Sequence, residues 1–314
     1  MQAYRAPAIL FTNHLETIYP ALLRTVNGVV YSRERISTPD DDFLDLDWIN
    51  NKSEKLVIIS HGLEGNSKRA YVKGMAKIFS LQQYDVLAWN YRGCSEEMNH
   101  QLRFYHSGAT DDLHLVIQHA LTKGYSEINL IGFSLGGNLT LKYVGEQSNS
   151  MVPQINRAVV FSVPLHLHSC SLKIATSAYG IYANRFLKTL KQKVVLKASR
   201  MPGIDIRELD RINNLFDFDD TYTAKLHGFD GARDYYEKCS SLYFLEGIKI
   251  QTLVVNAQND PFLSTRCYPD NFYNHPFVKT EFPKKGGHVG FAQFAKNGVY
   301  WSELRALRFI QSGL

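Results

Sequence analysis

The sequence predicts an α/β protein built on a mostly parallel central sheet. Two observations carry that expectation. Short continuous apolar runs recur along the chain, as in strands buried on both faces. Stretches of helical periodicity separate them, which implies crossover connections and a sheet covered on both sides.

The elements follow in order. Val29–Ile36 and Phe43–Trp48 flank Thr38-Pro39-Asp40-Asp41-Asp42, a turn-rich stretch, and read as an antiparallel hairpin. Lys55–Ser60 is the first buried strand. Ser67 is placed to cap a helix running to Leu81. Asp85–Asn90 is a strand, and from Thr110 the positions Leu113, Val116, Ile117, Ala120 and Leu121 form one apolar helical stripe. Ile128–Phe133, Arg157–Ser162, Gln251–Asn256 and Phe277–Phe282 are further strands. Helices are expected over Leu135–Gly145 and Gly298–Ser312. From 164 to 226 no strand is convincing, and Tyr179–Lys193 is helical in pattern. The interval reads as a cap inserted into a single domain spanning 1–314, the alternative being a second domain.

Bulk composition narrows the function. Hydrophobic residues make up 45% and charged residues 21%, as in ordinary globular chains. The net charge of +5 comes without a run of four or more Lys or Arg, which argues against nucleic-acid binding and leaves peripheral contact with an anionic membrane open. No apolar stretch approaches a membrane span, and His14 and Glu16 interrupt the N-terminal apolar run too early for a secretory leader. Cys94, Cys170, Cys239 and Cys267 are scattered without CxxC spacing, which suits a reducing compartment; a cytoplasmic location is expected. Composition fixes no oligomeric state.

The chemistry concentrates at Gly132-Phe133-Ser134-Leu135-Gly136. A bare G-x-S-x-G arises by chance in roughly one chain in ten of this length. Here it lies where a strand becomes a helix, the setting of a nucleophile elbow. Residues two before and two after the serine must be small there because strand and helix backbones nearly touch. The corner also puts the serine at a helix N-terminus, which favours developing negative charge. A serine needs a base, and the base needs an orienting acid. Asp260 follows the Gln251–Asn256 strand, and His288 follows the Phe277–Phe282 strand on a glycine-flanked loop. The order Ser134, Asp260, His288 is the one this elbow uses. Asp230 and Asp270 are the competing acids, but neither follows a strand so cleanly. For the oxyanion, the N–H of Leu135 and that of Leu63, in His61-Gly62-Leu63-Glu64-Gly65, are the expected donors.

Weaker motifs have plainer readings. His106 and Asp111 form H-x-x-x-x-D, but Asp111 and Asp112 sit in the first turn of a helix, where carboxylates complement the macrodipole. Gly62–Lys68 lacks the second glycine of a phosphate loop. His166-Leu167-His168-Ser169-Cys170, read as a short extended stretch, has no fourth metal ligand. No cofactor or metal is expected.

Taken together, several stretches resemble an α/β-hydrolase family that includes the bacterial YheT-like hydrolases and the eukaryotic abhydrolase-domain lipid esterases. They are Asn13–Pro20, Pro39–Trp48, His61–Gly65, Asn90–Ser95, Tyr105–Gly108, Gly132–Asn138, Asp234–Tyr236, Asn259–Phe262 and Gly287-His288. The resemblance implies an α/β-hydrolase fold, a Ser134–Asp260–His288 triad beneath a cap, and ester or lipid acyl substrates. Glu16 departs from it, standing where many relatives carry Gln. The expectation is a serine esterase. Its rivals are an acyltransferase with the same triad and an alcohol acceptor, and a non-catalytic ligand-binding scaffold.

Overall fold

A computed structural model describes residues 3–269, 274–295 and 297–313. Eight strands form one sheet: β1 (Ser32–Ser37), β2 (Phe43–Ile49), β3 (Lys55–Ser60), β4 (Asp85–Asn90), β5 (Glu127–Phe133), β6 (Ile155–Phe161), β7 (Gln251–Val255) and β8 (Val278–Glu281). Their spatial order is β1-β2-β4-β3-β5-β6-β7-β8. β1 and β2 make the antiparallel hairpin, β2 also runs antiparallel to β4, and every other pairing is parallel. On β3, Leu56 and Ile58 enter one core layer while Val57 and Ile59 enter the other, so the alternation fills both faces of the sheet.

The helices are α1 (Asn13–Leu23), α2 (Ala70–Leu81), α3 (Thr110–Thr122), α4 (Leu135–Gln147), α5 (Leu167–Thr176), α6 (Ile181–Ala198), α7 (Leu215–Phe218), α8 (Ala224–Leu226), α9 (Ala232–Cys239) and α10 (Trp301–Ser312). A π-helical turn, Asp219–Thr223, joins α7 to α8.

Three local expectations need correction, and one helix was not foreseen. Ser67 does not cap α2. Its hydroxyl donates to Asp47, and α2 starts three residues later with Arg69 at an N-cap that has no side-chain bond. Helix α1, which the sequence reading did not foresee, begins just after the N-terminal apolar run and is opened by Thr12 Oγ1 accepting the Leu15 N–H at 3.1 Å. His166–Cys170 is not extended: His166 is the N-cap of α5, and its ring accepts the Ser169 N–H. The helix expected over Tyr179–Lys193 begins at Ile181, because Ala178 and Tyr179 adopt left-handed backbone (φ 48° and 54°) that breaks the chain from α5.

Registry positions the strand ends. Ser60 of β3 pairs with Gly132 of β5, so the loop leaving β3 emerges beside the turn leaving β5. Phe161, Val255 and Glu281 are likewise level across β6, β7 and β8. One end of the parallel sheet therefore gathers four loops. Farther along it, buried Arg92 binds Asp40, Asp42 and Asp112, fastening the Asn90–Ser95 stretch to the hairpin turn and to α3. That network explains much of the acidic Pro39–Asp42 motif in structural terms.

Candidate active site

Ser134 occupies the corner between β5 and α4 with φ 53° and ψ −117°. This is backbone that favours glycine, held by a non-glycine residue, a strain that accumulates at functional sites. The neighbouring glycines are dictated by space. A Cβ on Gly136 would lie 2.3 Å from Ser60 O and 2.4 Å from His61 O. One on Gly132 would lie 2.5 Å from Gly136 O. Both flanking positions are closed to any side chain, as the motif reading demands.

His288 Nε2 lies 2.9 Å from Ser134 Oγ. Its Nδ1 donates to Asp260, with Oδ2 at 2.9 Å and Oδ1 at 3.1 Å. That bond places the ring proton on Nδ1 and turns the Nε2 lone pair toward the hydroxyl. The Asp260 carboxylate is fully buried, and Oδ1 also accepts the Phe262 N–H at 2.8 Å. The Phe262 ring packs against the imidazole, with centroids 4.1 Å apart and the planes tilted by 35°. Of the rival acids, Asp230 is exposed and accompanies Asp234, and Asp270 lies outside the described residues.

Sequence reading missed what holds the histidine loop. The Gly286 N–H donates to Glu16 Oε2, and Asn259 Nδ2 donates to the same oxygen at 3.0 Å. The Gly287 N–H reaches Asn259 Oδ1 at 3.1 Å, and the His288 N–H reaches Thr17 Oγ1 at 2.9 Å. Helix α1 thus grips a loop some 270 residues away in the chain. The signals were the capping Thr12 and an acid among apolar neighbours.

The loop after β3 faces the serine, since a Cβ on Gly62 would come within 3.2 Å of Ser134 Cβ. Within it the Gly62 N–H donates to Tyr71 Oη, the Glu64 N–H to Tyr105 Oη, and the Gly65 N–H to Gly62 O. Among the described residues the Leu63 N–H has no acceptor, and neither does that of Leu135. Burial pushes the pKa of His61 down to about 3. The ring is therefore neutral. It donates from Nδ1 to Gly62 O at 2.8 Å and accepts the Tyr91 N–H at Nε2, which stiffens the loop.

Two spaces meet at Ser134. An inner cavity of about 120 Å³ is walled by Leu135, Leu167, Phe186, Leu190, Leu215 and Phe218, among others. An outer groove of about 230 Å³ runs past Tyr71, His288, Tyr182 and Arg185 to α1. Phe186 and Phe262 border both.

The remaining motifs lie elsewhere or do other work. Asp111 pairs with Arg103 at 2.8 Å and is not bonded to His106. His106 and His227 stand in the inner cavity wall, 4.5 Å apart, and burial lowers both pKa values. His166 Nε2 faces Arg266 at 2.6 Å, and among the described residues no cluster could hold a metal ion.

A family model described as "Serine aminopeptidase, S33" (Hydrolase_4) matches residues 51–267, more than half of the chain. The chain belongs to the α/β-hydrolase family. This hydrolase is 31% identical over 290 residues to the Escherichia coli protein named "Putative esterase YheT", covering 90% of the chain and 85% of the relative. It is 28% identical to the mouse (Mus musculus) phospholipase ABHD3, covering 88% of the chain and 70% of the relative. Among solved structures, the Pyrococcus furiosus esterase Pf2001 superposes with a TM-score of 0.60 at 18% identity, covering 92% of this chain and 96% of that one. The last likeness is one of fold.

Proposed function

We propose that this protein hydrolyses carboxylic esters of lipid type through an acyl-enzyme on Ser134. The observation that carries the reading is the unbroken hydrogen-bond relay from Asp260 through His288 to a serine hydroxyl at the junction of two cavities. The relatives named an esterase and a phospholipase support the substrate class, as does a Saccharomyces cerevisiae monoacylglycerol lipase that is 25% identical over 296 residues.

In this reading the ester carbonyl sits over Ser134, its acyl chain in the inner apolar cavity and its alcohol portion in the outer groove. Residues 164–226 act as the cap over that cavity. His288 Nε2 takes the serine proton as Oγ attacks. The imidazolium is stabilised by Asp260 and flanked by the Phe262 ring. The oxyanion is received by the two spare amides, Leu63 and Leu135, the second lying at the N-terminus of α4. His288 then protonates the leaving alcohol. A water entering by the emptied groove is deprotonated by the same nitrogen and releases the acid. The reaction calls on no cofactor.

A fluorophosphonate probe tests the nucleophile. The wild type is expected to label and Ser134→Ala to stay unlabelled while melting normally; a folded, unlabelled wild type would favour the binding-scaffold reading. An ester offered with a competing alcohol tests the acceptor. Free acid should dominate at low alcohol, and dominant transesterification would point to an acyltransferase.

A further inference from the structure

The outer groove opens between two banks of unusual chemistry. One is α1, whose Thr17, Ile18 and Ala21 line the groove; the other is α6, through Tyr182, Arg185 and Thr189. A bond of 2.9 Å between His14 Nδ1 and Tyr182 Oη ties the banks together. On the α1 side Leu15, Ile18 and Leu22 share a stripe at helical spacing, and Leu22 and Leu23 are 57% and 66% exposed. Phe11, just before the helix, is 71% exposed. On the α6 side Ile181 is 63% exposed and Tyr179 is wholly exposed. Tyr179 is presented by a turn in which two consecutive non-glycine residues hold left-handed backbone. Single exposed apolar residues are unremarkable, but a group this size around one opening marks an interaction surface.

Charge identifies the partner. From 147 to 204 the chain has no Asp or Glu, yet it carries Lys173, Arg185, Lys188, Lys191 and four other Lys or Arg. Lys173, Arg185 and Lys188 are exposed, and none reaches a carboxylate among the described residues. The only acid before residue 34, Glu16, is buried. Apolar and aromatic side chains set among unpaired cations are the signature of a surface that lies in the headgroup region of an anionic bilayer.

We propose that the face around the groove mouth, formed by α1 and the start of α6, docks on an anionic lipid surface. The groove then opens onto the membrane, so a lipid ester reaches Ser134 without crossing water. The docking rests on the reading of the groove as the substrate route, but its test does not. Ser134→Ala protein is mixed with vesicles of phosphatidylcholine, with or without about 30% phosphatidylglycerol, and sedimented. Binding is expected to the anionic vesicles and not to the neutral ones. Adding Leu22→Asp with Ile181→Asp should weaken it about tenfold or more. Lys188→Glu alone should weaken it about fivefold. Melting curves check that each variant is folded. Equal or absent binding to the two vesicle types, or binding that both sets of substitutions leave intact, would overturn the proposal. So would a wild-type dimer in analytical ultracentrifugation that the double variant dissociates, since a second copy would then be the occupant.

Discussion

The strand-end half of the site and the helical half are secured by opposite means. Around Ser134 almost nothing can move. Gly132 and Gly136 leave no room for a methyl group, the β3–β5 registry sets the facing loop, and Ser134 directly follows β5, with Asp260 and His288 on the loops after β7 and β8. The helices from α5 to α9 have no such frame. They include a left-handed break at Ala178–Tyr179, a π turn at Asp219–Thr223, and helices of only three or four residues. They rest on one another and on the loops beyond the strand ends, where Lys193, Lys197 and Tyr235 bond Glu64, Asn99 and the Ser107 N–H. Under the proposed function the difference separates two tasks. Chemistry needs positions fixed to a fraction of an ångström, whereas a chain-binding wall needs shape and tolerates variation.

That contrast can be broken or sharpened by substitution. The largest effects should fall on the rigid half. Ser134→Ala or Asp260→Asn is expected to lower kcat by about 10³-fold or more with little change in melting temperature. Gly136→Ala should be worse for the fold than for any single contact, costing about 3 kcal/mol or more in a denaturant titration, because backbone oxygens block the new methyl.

In the helical half, Leu215→Trp fills part of the inner cavity. It should shift the preference between short and long acyl esters by about 10- to 100-fold in kcat/KM and leave fluorophosphonate labelling intact. An equal loss for all chain lengths would place the acyl group elsewhere.

Smaller effects are expected at the tether. Glu16→Ala removes the acceptor that holds Gly286 and Asn259, and should lower kcat about tenfold by loosening His288. Glu16→Gln keeps that acceptor. It also relieves Oε1, a buried oxygen with no partner, so near-native activity and equal or higher stability are expected.

The smallest effect on activity is expected at Asp219, whose readout is a pH dependence of stability. Burial raises the pKa of Asp219 to about 6, despite hydrogen bonds from Thr223 and Tyr236. The folded state then holds a proton that the unfolded state releases near pH 4, so this group's stabilisation is present at low pH and fades as pH rises through about 6. Asp219→Asn should remove that slope, flattening the stability curve between pH 4 and 6 by up to about 3 kcal/mol.

The same contrast governs what could be read from the chain. β3, β4 and the elbow were legible because a buried parallel strand must be a continuous apolar run, and the elbow must have small residues at fixed offsets. The order of Ser134, Asp260 and His288 then followed from strand succession. The start of α2 was misread because Ser67, an ordinary cap residue, is claimed by Asp47 from across the sheet. α1 was not seen as a helix, since Pro20 lies within it and its second half is exposed. The stretch around His166 was read as extended, whereas His166 caps α5 through its ring. The bonds from Glu16 and Thr17 to the histidine loop join the two ends of the sequence, and no local pattern announces a contact of that span.

That long-range grip has a consequence for how the enzyme comes into being. During synthesis strands β1 to β6 and the serine corner can form before the histidine loop leaves the ribosome, but the loop is not gripped until residue 288 meets helix α1. A nascent or C-terminally clipped chain would carry a shaped pocket and a dormant serine. A chain shorn of its first two dozen residues would keep every residue of the relay but hold the histidine loop loosely.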